Sequence, residues 1–383
     1  MLKQYKLKDY NFRLVLWLCS LSAIGVLLVG SADASLELRQ LGGVILGLTV
    51  MLILSLVDFS WILNFYWLIY AGNIVLLLTV ILSSFGRNAK GATRWLTIFG
   101  FSFQPVELSK ILLILFFAKY FMEHENDLNR FTTVLRSILL IGLPLVLIAM
   151  QPDLKNTLTV LAVFCILYYV AGISYRYIAG VVLLVVPLAV IFMVIVTQPN
   201  SGILREYQRG RIMAFLNPDN DEYSEDVIQQ NNSVTAIGSG QLSGKGLNNE
   251  DVSSANKGQF IAERQNDFIF AVAGEELGFL GSAGIVILLL LIELECLLTS
   301  RRAKDLSGRI ICTGVGSVVA LQSFINIGVA THILPNTGTP LPFVSYGLTS
   351  IVSLFIGMGV VLNVGLQSRI VIPESGKRSR RQL

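Results

Sequence analysis

The sequence predicts an all-α polytopic membrane protein of about ten transmembrane helices, and three observations carry that prediction. The 383 residues are 54% hydrophobic and only 14% charged, against about 25% charged residues in an average soluble domain. Mean hydropathy is +0.67. Apolar runs of roughly 18 to 25 residues recur along nearly the whole chain, each long enough to cross about 30 Å of hydrocarbon as a helix. The chain therefore reads as one membrane domain, 1–383, to which the prior of one domain per roughly 150 residues does not apply.

Spans are expected near 13–32, 40–57, 61–84, 106–122, 137–151, 156–174, 177–198, 267–299, 308–330 and 347–367. The first run follows Lys3, Lys6 and Lys8 and precedes Ala32-Asp33-Ala34, features shared with signal peptides. Its apolar stretch, Leu14 to Gly30, is longer than the usual signal core, so it reads as a first helix. With the N-terminus inside, the cytoplasmic loops collect Arg130 and Arg136, then Arg176, then Arg301, Arg302, Lys304 and Arg309. The tail adds Lys377, Arg378, Arg380 and Arg381. This satisfies the positive-inside rule and puts both termini in the cytoplasm. The net charge of +4 is thus a topology signal, not a nucleic-acid-binding face. The run 268–299 exceeds one crossing, which calls for tilt or a cytoplasmic extension carrying Glu293 and Glu295.

Two outer segments break the pattern of short loops. Residues 199–266 form a large polar extracytoplasmic loop between the seventh and eighth spans, and 331–346 a second loop with Pro335, Gly338, Pro340 and Pro342. Each proline fixes φ and removes a donor, so the second loop is too rigid for a tether. Cys19, Cys165, Cys296 and Cys312 all lie in apolar runs, which argues against cysteine chemistry. His124 and His332 are isolated and no cluster has metal-ligand spacing. There is no Walker loop or dinucleotide fingerprint. No cofactor or resident metal is required by the sequence.

The informative residues are polar ones where polarity is expensive. Glu107 and Lys110, three residues apart, share one helical face at the outer end of the fourth span. They read either as an ion pair locking helices or as part of a polar cavity open to the outer leaflet. Asp267 opens the eighth span, where an aspartate commonly caps a helix. Glu275 and Glu276 follow about two turns deeper, Glu275 about 80° around the helix from Asp267, so this helix borders protein or water. Asp153, after Pro152, reads as a turn or cap. Arg94 and Trp95 belong to a short outer segment too polar to span, where tryptophan anchors at the headgroups and arginine can bind a lipid phosphate.

These residues fall in a series of motifs: Gly91-Ala92-Thr93-Arg94-Trp95, Gln104-Pro105-Val106-Glu107-Leu108-Ser109-Lys110, Gln151-Pro152-Asp153-Leu154, Asn266-Asp267-Phe268-Ile269-Phe270, Gly274-Glu275-Glu276-Leu277-Gly278 and Leu341-Pro342-Phe343-Val344-Ser345-Tyr346-Gly347. The large loop adds Tyr207-Gln208-Arg209, Ala236-Ile237-Gly238-Ser239-Gly240 and Gly244-Lys245-Gly246. In this order, over essentially the whole chain, they resemble the SEDS proteins (shape, elongation, division and sporulation), leaning toward the rod-shape type. The resemblance implies a bacterial cytoplasmic membrane protein that polymerises lipid II into glycan strands at the outer face, with a class B penicillin-binding protein as transpeptidase partner. It places the family's essential catalytic aspartate on Asp267 and its fourth-helix glutamate and lysine on Glu107 and Lys110. Arg94, Trp95, Asp153, Arg209, Arg211, Glu275 and Ser345 complete the expected substrate-binding set. The chain departs from the family where QPSE reads Gln104-Pro105-Val106-Glu107, where QPDLGTA continues as Lys155-Asn156-Thr157, where Asn266 precedes Asp267, and where Leu348 follows Gly347.

A β-1,4 link made from an α-linked sugar diphosphate requires inversion. Asp267 is then the expected base toward the acceptor hydroxyl. Arg94, Lys110, Arg209 or Arg211 are the expected diphosphate contacts, with a divalent cation admissible. Two rival readings are a lipid II flippase, which needs charges along a path through the bilayer, and a non-catalytic scaffold, which would not need Asp267.

Overall fold

The computed structural model describes residues 10–82, 86–89, 92–98, 101–177, 179–180, 183, 206–216, 224–249, 258 and 260–368. The expected span at 177–198 and the basic tail lie almost wholly outside these residues.

The chain is mostly helical. α1 (Phe12–Ala32), α2 (Ala34–Leu56), the short α3 (Phe59–Leu63) and α4 (Tyr66–Leu82) precede α5 (Pro105–Glu123), α6 (Phe131–Met150) and α7 (Leu154–Ala171). After them come α8 (Glu206–Leu216), α9 (Ser224–Ser239), α10 (Ile269–Arg302), α11 (Leu306–Ala330) and α12 (Leu348–Ser368). Among the described residues, seven helices are long and apolar enough to cross a membrane: α1, α2, α6, α7, α10, α11 and α12. α4 is a shorter apolar helix. α5 carries Glu107, Lys110, Lys119 and Glu123 and so falls outside the apolar set.

Two departures from the expected organisation lie in the polar segments, a small sheet in an otherwise all-α chain and helices within the large loop. β1 (Gly86–Ala89), β2 (Ala92–Ile98) and β3 (Phe101–Phe103) form an antiparallel meander between α4 and α5, with Leu96 opposite Phe103. The segment around Arg94 and Trp95 is therefore a strand, consistent with its alternating threonines, tryptophan and isoleucine. The polar region 199–266 is not a plain loop, because it contains α8 and α9.

The core is built on α5, α11 and α12. α5 is buried on nearly every side, and the most apolar stretches of α11 and α12 are 67% and 72% buried, against 33% for α2 and 28% for α10. Helices apolar all round belong in the interior. Those at the periphery turn Ile45, Ile53, Leu139, Val146, Ile287 and Leu290 outward, a surface suited to acyl chains and not to water. α2 packs on α12 through Gly43 and Gly47, one turn apart. A Cβ there would stand 2.4 Å from Leu348 Cδ2 and 2.2 Å from Phe355 Cδ2, so the small-xxx-small spacing sets the interhelical distance. In α6, Pro144 leaves the carbonyl of Leu140 without its helical donor. The Tyr70 hydroxyl of α4 supplies one at 2.7 Å.

The feature that shapes the end of the helical bundle carrying Asp267 is a break in α10. Gly278 has φ 65° and ψ −163° inside an otherwise helical run, which interrupts the backbone ladder where no water is at hand. The segment 240–246 after α9 repairs it. Lys245 N donates to Glu275 O at 2.9 Å and Gly246 N to Glu276 O at 2.9 Å. In return Phe279 N donates to Gln241 O at 2.8 Å and Leu280 N to Leu242 O at 3.1 Å. Below the break, Phe279 to Arg302 is 24 residues, about 36 Å of helix. A break that the sequence expectation does not include thus divides the apolar run. At its lower end Asn11 Nδ2 donates to Glu295 Oε2 at 3.0 Å, tying α10 to the start of α1.

A Cβ on Gly278 would lie 2.3 Å from Gly244 N and 2.8 Å from Leu242 C, on a backbone with positive φ. Gly278→Ala is predicted to lower the thermal unfolding temperature in detergent, with strain alone costing about 1–3 kcal/mol. Gly42→Ala, which meets nothing within 4 Å, should leave it unchanged. Equal melting temperatures for the two variants would contradict this account of the break.

Candidate active site

Asp267 stands just ahead of α10, and Phe268 takes the cap position. The chain leading to it is fastened from three sides. Tyr346 N donates to Gln265 O at 2.9 Å, Ser345 Oγ to Asn266 O at 2.6 Å, and Asn326 Nδ2 to Asp267 O at 2.8 Å. Three consecutive carbonyls are thus held by α11 and by the Pro/Gly-rich loop. The same groups fold that loop on itself: Ser345 Oγ accepts from Leu341 N at 2.7 Å, and Asn326 Nδ2 also donates to Thr339 O at 2.7 Å. From α2, Gln40 Nε2 donates to Ser345 O at 3.2 Å. A polar atom at each of these positions satisfies backbone that the prolines leave without regular partners.

The loop brings Gly338, at φ +70°, against the acidic side chain. A Cβ on this glycine would stand 2.9 Å from Asp267 Oδ2 and 3.6 Å from Arg211 Nη1. The aspartate and the arginine of α8 therefore converge on one glycine, and both are only partly buried. Lys155, in the first turn of α7, donates from Nζ to the carbonyl of that same Gly338. A carboxylate and two cations on one small-residue corner form a site for a reacting hydroxyl beside an anionic leaving group.

A second polar cluster lies inward. Glu107 Oε1 and Lys110 Nζ pair at 2.8 Å, and both residues are 3% exposed. Glu107 Oε2 accepts from Ser350 Oγ at 3.1 Å and Gln322 Nε2 at 3.4 Å. Lys110 reaches Asn156 Oδ1 at 3.4 Å. Asn156 Nδ2 donates to Asp153 Oδ2 at 2.9 Å, which also accepts from Gln104 Nε2 at 3.4 Å. Asp153 is the side-chain cap of α7, accepting from Asn156 N at 3.3 Å. One network thus joins α5, α7, α11 and α12. Below Lys110 a narrow crevice continues between α5, α6 and α7, lined by apolar residues such as Phe117, Ile141 and Phe164.

The other expected residues are dispersed. Glu275 is buried and pairs with Lys245 at 2.8 Å, securing the repaired break. Ser345 is 3% exposed and serves the loop. Trp95 lies half-buried on β2 opposite Arg87. Arg94 and Arg209 have backbone positions on β2 and α8, but their side chains lie outside the described set. Among the described residues no group of three or more His, Cys, Asp or Glu could hold a metal. Sequence reasoning missed Asn326, Gln322, Asn156 and Gly338 as parts of these networks. The available signal was an amide in an apolar span, which needs a partner wherever it is.

Residues 10–370 match the FtsW/RodA/SpoVE family, described as cell cycle protein. A probable peptidoglycan glycosyltransferase FtsW of Geobacter metallireducens is 31% identical over 378 residues, 95% of this chain and 96% of that protein. A peptidoglycan glycosyltransferase MrdB of Escherichia coli is 32% identical over 359 residues, 92% of each. Among solved structures, a chain from a peptidoglycan synthase complex that coordinates polymerization and crosslinking superposes with a TM-score of 0.75 at 26% identity, covering 94% of this chain and 99% of that one. The rod shape determining protein RodA of Thermus thermophilus superposes with a TM-score of 0.68 at 26% identity, covering 93% and 96%. On sequence and fold together, the chain belongs to the FtsW/RodA/SpoVE family of multi-pass membrane proteins.

Proposed function

We propose that this protein is a peptidoglycan glycosyltransferase that joins lipid II units into β-1,4 glycan strands at the outer face of the cytoplasmic membrane. The observation that carries the reading is the convergence of Asp267 and Arg211 on Gly338, beneath a loop that holds the backbone of Asp267 in place. In this reading Asp267 takes the proton of the acceptor sugar's 4-hydroxyl as its oxygen attacks the anomeric carbon of the donor. The bond to the lipid diphosphate breaks from the opposite side, inverting the centre, and Arg211 meets the departing charge. Arg94 and Arg209 are further candidates for that charge, and a divalent ion can accompany the substrate's diphosphate. In this reading the chain has ten spans with both termini cytoplasmic and this corner lies outside, a topology that the basic loops support. A class B penicillin-binding protein is the partner that would crosslink the product. The two relatives named as peptidoglycan glycosyltransferases support the activity, and the synthase complex supports a crosslinking partner.

Glu107, Lys110, Asp153 and Glu275 are framework in this proposal, because each is at most 3% exposed and already paired. Their service to the substrate is indirect, through the rigidity of the helices beneath the site.

Two outcomes follow. Asp267→Asn keeps the size of the side chain and removes the base, so polymer formation from lipid II in the presence of the transpeptidase should fall at least about 100-fold. The thermal unfolding profile should be unchanged, and near-normal polymer synthesis would eliminate the assignment. Lys110→Met leaves a buried carboxylate without its cation and should cost roughly 3–5 kcal/mol of stability. Glu107→Gln combined with Lys110→Met should cost less than the sum of the single changes. Strictly additive losses would show that the two side chains do not act as a pair.

A further inference from the structure

Lys155 is an unusual residue for its place. It lies in the first turn of α7, where the helix macrodipole disfavours a cation. The motif it interrupts, Gln151-Pro152-Asp153-Leu154, continues with glycine in the family the sequence resembles, whereas this chain carries a lysine. Its hydrogen bond runs to a neutral carbonyl, that of Gly338, and not to an acid. That carbonyl belongs to the glycine on which Asp267 Oδ2 and Arg211 Nη1 converge. The ammonium has three protons, and the carbonyl takes one. A half-buried cation at a helix N-terminus, one peptide away from the candidate base, is a position of concentrated positive potential. The chemistry that such potential suits is a multiply charged phosphate.

We infer that Lys155 is a substrate-binding residue, contacting the diphosphate of the polyprenyl-linked sugar from beside the Gly338 carbonyl, with Arg211 at the same glycine. The inference rests on the glycosyltransferase reading, which it deepens. Two cations then flank the leaving group, and the glycine between them leaves room for it, since any side chain at 338 would fill the corner and would need a positive φ. Lys155 also holds the loop through the Gly338 carbonyl, so its two roles must be separated by experiment. Lys155→Gln keeps a hydrogen-bond donor and loses the charge, Lys155→Arg keeps both, and Lys155→Met loses both.

The test uses full-length protein in detergent with the transpeptidase present. It measures glycan synthesis against lipid II concentration, and thermal shift with farnesyl diphosphate against farnesol as probes. Loss of one charged hydrogen bond predicts a KM for lipid II raised about tenfold or more in Lys155→Gln and Lys155→Met, with kcat changed less. Lys155→Arg should recover most of it, and the preference for farnesyl diphosphate over farnesol should shrink in the two uncharged variants. An unchanged KM in Lys155→Gln, in a preparation whose wild type polymerises lipid II, overturns the inference and leaves the function standing. A defect in Lys155→Met that Lys155→Gln repairs also overturns it, by reducing Lys155 to an anchor of the loop. A wild type that makes no polymer yet shows a Lys155-dependent preference for farnesyl diphosphate sinks the glycosyltransferase reading and retains the anion site.

Discussion

In a membrane every backbone N–H and C=O must find a partner inside the protein, and this chain breaks a long helix where that rule bears hardest. At Gly278 the carbonyls of Glu275 and Glu276 and the amides of Phe279 and Leu280 lose their helical partners, and the segment 240–246 supplies all four. The exchange works only because glycines stand at the points of closest approach: a Cβ on Gly244 would meet Glu276 O at 2.1 Å. It fuses the large polar region to the N-terminal third of α10. The stretch carrying Asp267 therefore emerges from a cross-braced unit and not from a fraying helix end. The ion pair of Lys245 and Glu275 closes the junction with a charge that would otherwise be costly to bury.

The same economy of partners builds the rest of the face around Asp267. The Pro/Gly-rich loop has few amides to offer a regular ladder, so Asn326, Ser345 and Gln40 provide side-chain donors to its carbonyls and to those of residues 266 and 267. Because Asn326 bridges Asp267 O and Thr339 O with one amide group, the acid and the loop cannot shift independently. Beneath them the Glu107–Lys110 network links four helices, and Ser350, at the start of α12, carries it up to the base of the loop. Positioning to within a fraction of an ångström requires supporting residues whose own geometry is locked. Here that support consists of buried polar groups, whose alternative in hydrocarbon is an unmet hydrogen bond.

Much of this protein was legible in its amino acids alone. The number of apolar runs, their lengths and the bias of lysine and arginine between them announced a multi-pass helical protein, because span length follows from bilayer thickness and needs no tertiary information. The aspartate at 267 and the pair at 107 and 110 stood out for a similar reason: ionisable groups in apolar runs demand partners. Position in the chain could not say which partners. Glu107 and Lys110 pair inside one helix turn, which sequence spacing allows, but Asn156, Gln322 and Ser350 complete the network from three other helices, and no local rule links them. The meander around Trp95 and the helices α8 and α9 went unseen because short polar elements owe their form to what they pack against.

Sequence by itself determined the helical class, the multi-pass character and the short roster of residues able to do chemistry, since each depends on solvent transfer and backbone geometry along a continuous stretch. Tertiary structure alone decided that Asp267, Arg211 and Lys155 meet at Gly338, that Glu275 braces a break, and that Glu107 and Lys110 are sealed inside. Those assignments rest on contacts between residues tens to hundreds of positions apart. Such contacts form only when the whole set of buried polar groups is satisfied together.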